Sequence, residues 1–330
     1  MQQIIYTASP DSEQIHVWQL QAQGDLVLLQ TVEARGQVQP LAINDKASML
    51  YAGVRPDFRV VAWHIDHEGK LSFAGETALP GSATHLSVDH QAKRLFVAYY
   101  HDGQVSISPL DQQGRVGAPA KIIGGLAGCH STNPDNMGRY LYVPALKHDL
   151  IAVLDLTATD LKGISQHATI STGSGSGPRH MAMHGNGQIA YVVNELDSTV
   201  LVLKLNDNGA EILQTVDLMP TEFEGTRWAA DIHLTANNQY LYACDRTSSL
   251  ITCFAVSDNG ERLEINGYYP TETQPRGFNI DKTGQFLFAV GQKSDSLAVY
   301  KIGEKGQLTE HQRYPVGQGA MWVAVHVLAN

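Results

Sequence analysis

"RYLYVPALKHDLIAVLDL" (residues 139–156) and "QYLYACDRTSSLITCFAV" (residues 239–256) share one grammar. A run built round a Leu-Tyr pair ends in polar residues, a turn follows, and an alternating apolar run begins. Short apolar runs with alternation, bounded by turn residues, read as strands, and two of them joined by a turn read as a hairpin. The same unit recurs along the whole chain. Its aromatic positions are Tyr6, Tyr51, Phe96, Tyr142, Tyr191, Tyr242 and Phe288, separated by 45, 45, 46, 49, 51 and 46 residues. The residue before each is apolar, from Ile5 through Leu50, Leu95, Leu141, Ala190 and Leu241 to Leu287. A fourth, weaker strand per unit fits "KLSFAGETAL" (70–79) and "ERLEINGYYP" (261–270).

Four strands at this period predict a β-propeller of seven blades. The chain is out of phase with its own repeat. It opens inside a unit at "IIYTAS" (4–9) and finishes on an unpaired first strand, "GAMWVAVHV" (319–327). Pairing that last strand with the first closes the ring and removes a loose sheet edge. The expectation is an all-β, seven-bladed propeller forming one domain over residues 1–330. None of the four tryptophans precedes an Asp, so the WD-repeat signature is absent. A single sandwich would not need seven equal units. One short helical turn is expected within "TEFEGTRWAADIH" (221–233).

Bulk composition bounds the partners. With 23 basic and 33 acidic side chains the net charge is −10, which argues against a nucleic-acid surface. An anionic ligand would need local Arg or Lys against that overall field. Cys129, Cys244 and Cys253 are odd in number and lack CxxC spacing, which fits a reducing compartment, with cytoplasm expected. The start "MQQIIYTASP" has no basic n-region and no long apolar stretch, so neither a signal peptide nor a membrane span is expected.

The candidate site comes from "GSGSGPRHMAMHGNGQIAYVVNEL" (173–196). Its turn lies near residue 187, with Arg179 eight residues before and Glu195 eight after. Antiparallel pairing then sets the two opposite each other at the open end of the hairpin. By the same logic the other first strands bring Gln39, His85, His130, His180, Asp231, Arg276 and Trp322 to the channel mouth. Second-strand exits add Arg55, Tyr99, Lys147, Arg246 and Gln292. Each also has a structural reading. The histidines can bond neighbouring loops, Arg179 and Glu195 can be a plain ion pair, and Arg55, Arg246 and Lys147 can be rim charges. Trp228 and Trp322 read as packing.

The chemistry is narrowed by what is missing. There is no GxSxG elbow, no HExxH and no phosphate-cradling GxxxxGK[ST]. Cys129 beside His130 is weak support for a thiol nucleophile. Asn194, Glu195 and Asp231 offer oxygens of the kind calcium prefers, but Arg179 and Arg276 would repel a cation. No metal or cofactor is expected. The cluster suits hydrolysis of a reactive anionic ester. Guanidinium groups bind phosphate or carboxylate at two points, a carboxylate or imidazole deprotonates water, and a cation faces the developing oxyanion.

Several strings together closely resemble one family from end to end. They are "GQVQP", "VRPDFRV", "GCHS", "VPALKHD", "GPRHM", "VNELDS", "RWAADIH", "YACDRT", "TETQPRGFN" and "GQGAMW". The chain resembles the bacterial propeller-type 6-phosphogluconolactonases, of the cycloisomerase-like lactonase family that also holds fungal carboxymuconate-lactonizing enzymes. The resemblance implies a seven-bladed propeller that hydrolyses 6-phosphoglucono-1,5-lactone to 6-phosphogluconate in the pentose phosphate pathway, with no metal requirement. It implies a site of His130, Arg179, Glu195 and Arg276, with Glu195 or His130 activating water. His180, Asp231, Lys147 and Arg246 are the further substrate-binding candidates. "GQGAM" departs from the pattern, with Ala320 where Pro is common. The expected partner is a small sugar-phosphate lactone, and the chain is expected to be a monomer or weak homo-oligomer. The rival readings are a lactonizing cycloisomerase and a non-catalytic propeller that binds peptides or another protein.

Overall fold

A computed structural model describes residues 2–328, and in it 28 strands form seven four-stranded sheets. Every ladder between neighbouring strands of a sheet is antiparallel, as hairpin-linked strands require. The first strands of neighbouring blades pack side to side round an axis, for example 178–183 on 229–234 and 322–327 on 37–44. Closure runs as the out-of-phase sequence predicts. The last strand, Trp322–Val327, lies antiparallel to Gln3–Ser9, with Val327 opposite Gln3 and Trp322 opposite Ala8.

The repeated aromatic is the reason the blades are spaced alike. All seven are at most 1% exposed. Four of the tyrosines also reach out of their own blade. Tyr6, Tyr51, Tyr191 and Tyr242 donate to the carbonyls of Gly69, Gly114, Gly260 and Gly306 at 2.8, 2.5, 2.8 and 2.7 Å. Each acceptor sits in the turn before the outermost strand of the next blade. These glycines have φ between +75° and +89°, a conformation open to Gly and costly for other residues. At Gly306 a side chain would also collide with Tyr240. One hydroxyl thus ties each such blade to its neighbour through a contact worth about 1 kcal/mol.

The helical turn expected within 221–233 is not formed. Residues 221–228 make turns and bends, and the strand Ala229–Leu234 follows directly. Gly225 interrupts the segment, and its polar groups find side-chain partners instead of helical ones. The Trp228 amide donates to Asp245 at 2.8 Å, and Arg227 pairs with Asp217 at 2.6 Å. The helical segments among the described residues are three single 3-10 turns, at 10–12, 146–148 and 161–163. No helix among them is long and apolar enough to cross a membrane.

Candidate active site

The first strands do not run regularly to the mouth. Pro178 faces Asn194 and His180 faces Val193, so Arg179 has no partner across the ladder. The same slip strands Arg276 between Pro275 and Gly277. It also leaves Gln39 with Pro40, and Ala230 with Asp231, two against one. An extra residue bends a strand and re-aims its side chain. Four of the seven blades therefore present a bulged residue near the axis.

Arg179 and Glu195 meet, as their spacing predicts. Arg179 Nε donates to Glu195 Oε2 at 2.9 Å, and Arg246 Nη2 lies 2.7 Å from the same oxygen. Both arginines are almost fully buried. Arg246 also donates to the Ala229 carbonyl at 2.8 Å, and its guanidinium stacks 4.0 Å above the Trp228 ring. Burial alone would raise the Glu195 pKa. Arg179 and Arg246, with Arg276 behind them, outweigh that and hold it below the usual carboxylate range. Glu195 is therefore ionised at neutral pH, with Oε1 outside the Oε2 grip.

A cavity of about 260 Å³ opens at this mouth, lined by His130, Glu195, Arg246 and Arg276 together with Gln39 and Arg55. His130 is buried, and its Nδ1 has no hydrogen-bond partner. Burial, then Arg179, His180 and Arg276, pushes its pKa well below the ordinary histidine value, so the ring is neutral at pH 7. Burial and the other arginines push Arg276 down to about 9 and Arg246 down to about 10, and both stay charged near neutrality.

Other expected members lie elsewhere. His180 and Asp231 line a second cavity of about 460 Å³ walled by the inner-strand bodies, together with His85 and Trp322. There they form a chain beneath the mouth. Arg179 Nη1 lies 3.3 Å from His180 Nε2, and His180 Nδ1 lies 2.8 Å from Asp231 Oδ1. Guanidinium can only donate, so Nε2 accepts and Nδ1 carries the proton toward Asp231. His233 Nε2 sits 3.1 Å from the other Asp231 oxygen. Burial and Arg179 lower the His180 pKa to about 4. His180 and Asp231 thus support Arg179 from below and do not reach the mouth cavity. Of the acceptors named as suited to a cation, Glu195 Oε2 is taken by two arginines and both Asp231 oxygens by histidines, while Asn194 Oδ1 has no hydrogen-bond partner.

Lys147 stands at the rim of the mouth and not in its wall. The 3-10 turn at 146–148 swings it outward, where it is exposed and its ammonium lies 4.7 Å from the Tyr100 ring centre. Tyr99 is likewise replaced by its neighbour. Its hydroxyl is buried against Ser106 at 2.6 Å, and Tyr100 lines the cavity. Thr84, His101 and Trp228 also line it. The strand count does not mark Thr84 or His101, and by sequence Trp228 reads as packing; the aromatic and hydroxyl content of the loops is their only sequence signal. Cys129 is no nucleophile, because burial raises its thiol pKa to about 12 and Sγ donates to the Gln104 carbonyl at 3.0 Å.

Comparison with known proteins fits this geometry. Residues 4–325 match the family model described as lactonase, 7-bladed beta-propeller. A protein of Erwinia tasmaniensis named 6-phosphogluconolactonase is 52% identical over 329 residues, covering 99% of this chain and 100% of that one. One of the same name from Pectobacterium atrosepticum is 53% identical over 331 residues, with 99% and 100% covered. In fold, the periplasmic gluconolactonase of Pseudomonas aeruginosa superposes over 100% of both chains with a TM-score of 0.93 at 23% identity. A Lactobacillus plantarum protein covers 99% of this chain and 100% of its own with a TM-score of 0.90, also at 23% identity. The chain belongs to the lactonase family of seven-bladed β-propellers.

Proposed function

We infer that this protein is an enzyme that hydrolyses 6-phosphoglucono-1,5-lactone to 6-phosphogluconate, the lactone step of the oxidative pentose phosphate pathway. The observation that carries the reading is a mouth where arginine outnumbers carboxylate beside a neutral histidine with a free ring nitrogen. Full-length relatives about half identical in sequence carry the name of that activity.

In this reading a water held between His130 and Glu195 attacks the lactone carbonyl. His130 Nδ1 takes the water proton as the new C–O bond forms, and guanidinium groups face the oxyanion that develops. Collapse breaks the ring C–O bond, and the imidazolium returns its proton to the departing ring oxygen. The carboxylic acid product then loses one proton to solvent. Glu195 keeps Arg179 and Arg246 fixed, so they need no reorganisation during the reaction. An arriving phosphate dianion offsets the arginine field that depresses His130 and so raises its basicity where it is needed.

The chain works as one domain, free in the cytoplasm, as a monomer or weak homo-oligomer. Three buried free thiols support that compartment. The charged mouth favours a small anion over a peptide, which would call for an apolar platform. Purified protein should release acid from the phosphorylated lactone far above the spontaneous rate. His130→Ala, still folded, should lose at least ~100-fold. A wild-type rate equal to background would overturn the reading.

A further inference from the structure

We propose that Arg55, together with Arg276, forms the subsite for the substrate phosphate, and that Arg55 selects phosphorylated lactones over unphosphorylated ones. The proposal rests on the lactonase reading and deepens it. Four guanidinium groups serve this mouth, but among the described residues only one carboxylate lines it. Glu195 engages Arg179 and Arg246 through a single oxygen. Arg55 and Arg276 line the same cavity, yet among the described residues neither makes an ion pair or a side-chain hydrogen bond. Arg55 Nε is buried with no partner at all.

A buried donor left unmade is costly, and two uncompensated cations in one cavity repel. The pair is close enough to interact, since Arg55 is among the groups that disfavour the charge on Arg276. Arg55 is only partly exposed, and its Nε is closed off from water inside the cavity wall. Its backbone is held at the end of the strand Met49–Arg55, opposite Gln37. Gly36, at φ +140°, lets the chain approach the Arg55 carbonyl so closely that any Cβ would strike it. Two planar cations with unused donors match a dianion that offers several acceptor oxygens. A sugar hydroxyl would satisfy neither the charge nor the count of donors.

The test compares kcat/KM for 6-phosphoglucono-1,5-lactone and for glucono-1,5-lactone. Arg55→Met is expected to lose about 100-fold on the phosphorylated substrate, chiefly in KM, and to change less than about threefold on the other. Arg55→Lys, which keeps the charge but not the fork, should recover part of the loss. Equal losses on both substrates, or none on the phosphorylated one, would overturn the proposal. If wild-type protein hydrolyses neither lactone, the proposed function fails and phosphate binding decides the subsite by itself. Calorimetry with inorganic phosphate should then show Arg55→Met binding at least ~10-fold more weakly than wild type, and equal affinity would overturn it.

Discussion

The two cavities near the axis share six blades and differ in the strand positions that line them. The inner cavity is walled chiefly by regular stretches of the first strands, such as residues 41–43, 180–183, 232–234 and 322–325, with the bulged Asp231 among them. Its acid and base groups largely satisfy one another, His180 and His233 on Asp231, and His326 on Asp45 at 2.8 Å. The mouth cavity is made from strand ends and bulges. There Arg55 and Arg276 stay unpaired, and His130 keeps a bare nitrogen. Regular strand positions dominate the self-satisfied lining, while the end of the strand Met49–Arg55 and the bulge at Arg276 leave guanidinium groups free for a ligand.

The contrast can be broken first at Glu195. It is the one anion between two buried cations, so Glu195→Ala should destabilise the protein by about 3–5 kcal/mol, the cost of leaving a buried pair without its partner. A denaturation midpoint unchanged from wild type would mean the arginines do not depend on it. Glu195→Gln keeps an acceptor and should cost less.

Acid should act on both layers through their histidines. His130 and His180 have folded pKa values below the unfolded value, so the unfolded chain binds more protons between about pH 6.5 and the folded pKa. Stability should therefore fall as pH drops from about 6.5 toward 4, by up to ~1.4 kcal/mol per pH unit for each histidine. Glu195 and Asp231 are depressed carboxylates. Their contribution is present above the unfolded carboxylate range and disappears only when pH falls through their lower folded values, so they do not drive the loss at pH 5. Urea midpoints at pH 7 and pH 5 check this, and a less steep dependence is expected for His180→Gln. The smallest effect concerns the scaffold common to both cavities. Tyr242→Phe removes one bond to the next blade and should cost about 1 kcal/mol with activity intact.

The fold was legible because each blade must bury one aromatic at the same place, so Tyr6 to Phe288 keep their period whatever the loops do. Closure was legible for a related reason: a chain that begins and ends inside a unit has one strand left to pair. Placement at the mouth was legible where strand ends alone decide it, as at Glu195, Arg246 and His130. It was obscured where counting by twos fails. Bulges at Arg179 and at Ala230–Asp231 separate residues that a regular ladder would bring to one level, so His180 and Asp231 belong to the inner layer. Past the end of the strand Arg94–Tyr99, Tyr100 rather than Tyr99 turns to the cavity, and a single 3-10 turn carries Lys147 to the rim. No local pattern in the chain marks such one-residue shifts.

On the proposed function, the arginine-rich mouth, and not the histidine-rich inner cavity, receives the sugar acid. A crystal structure with 6-phosphogluconate bound tests it most directly. The phosphate should lie within hydrogen-bond reach of Arg55 and Arg276, and the carboxylate beside His130 and Glu195. A ligand seated among His85, His180 and Trp322, with the mouth empty, would contradict it.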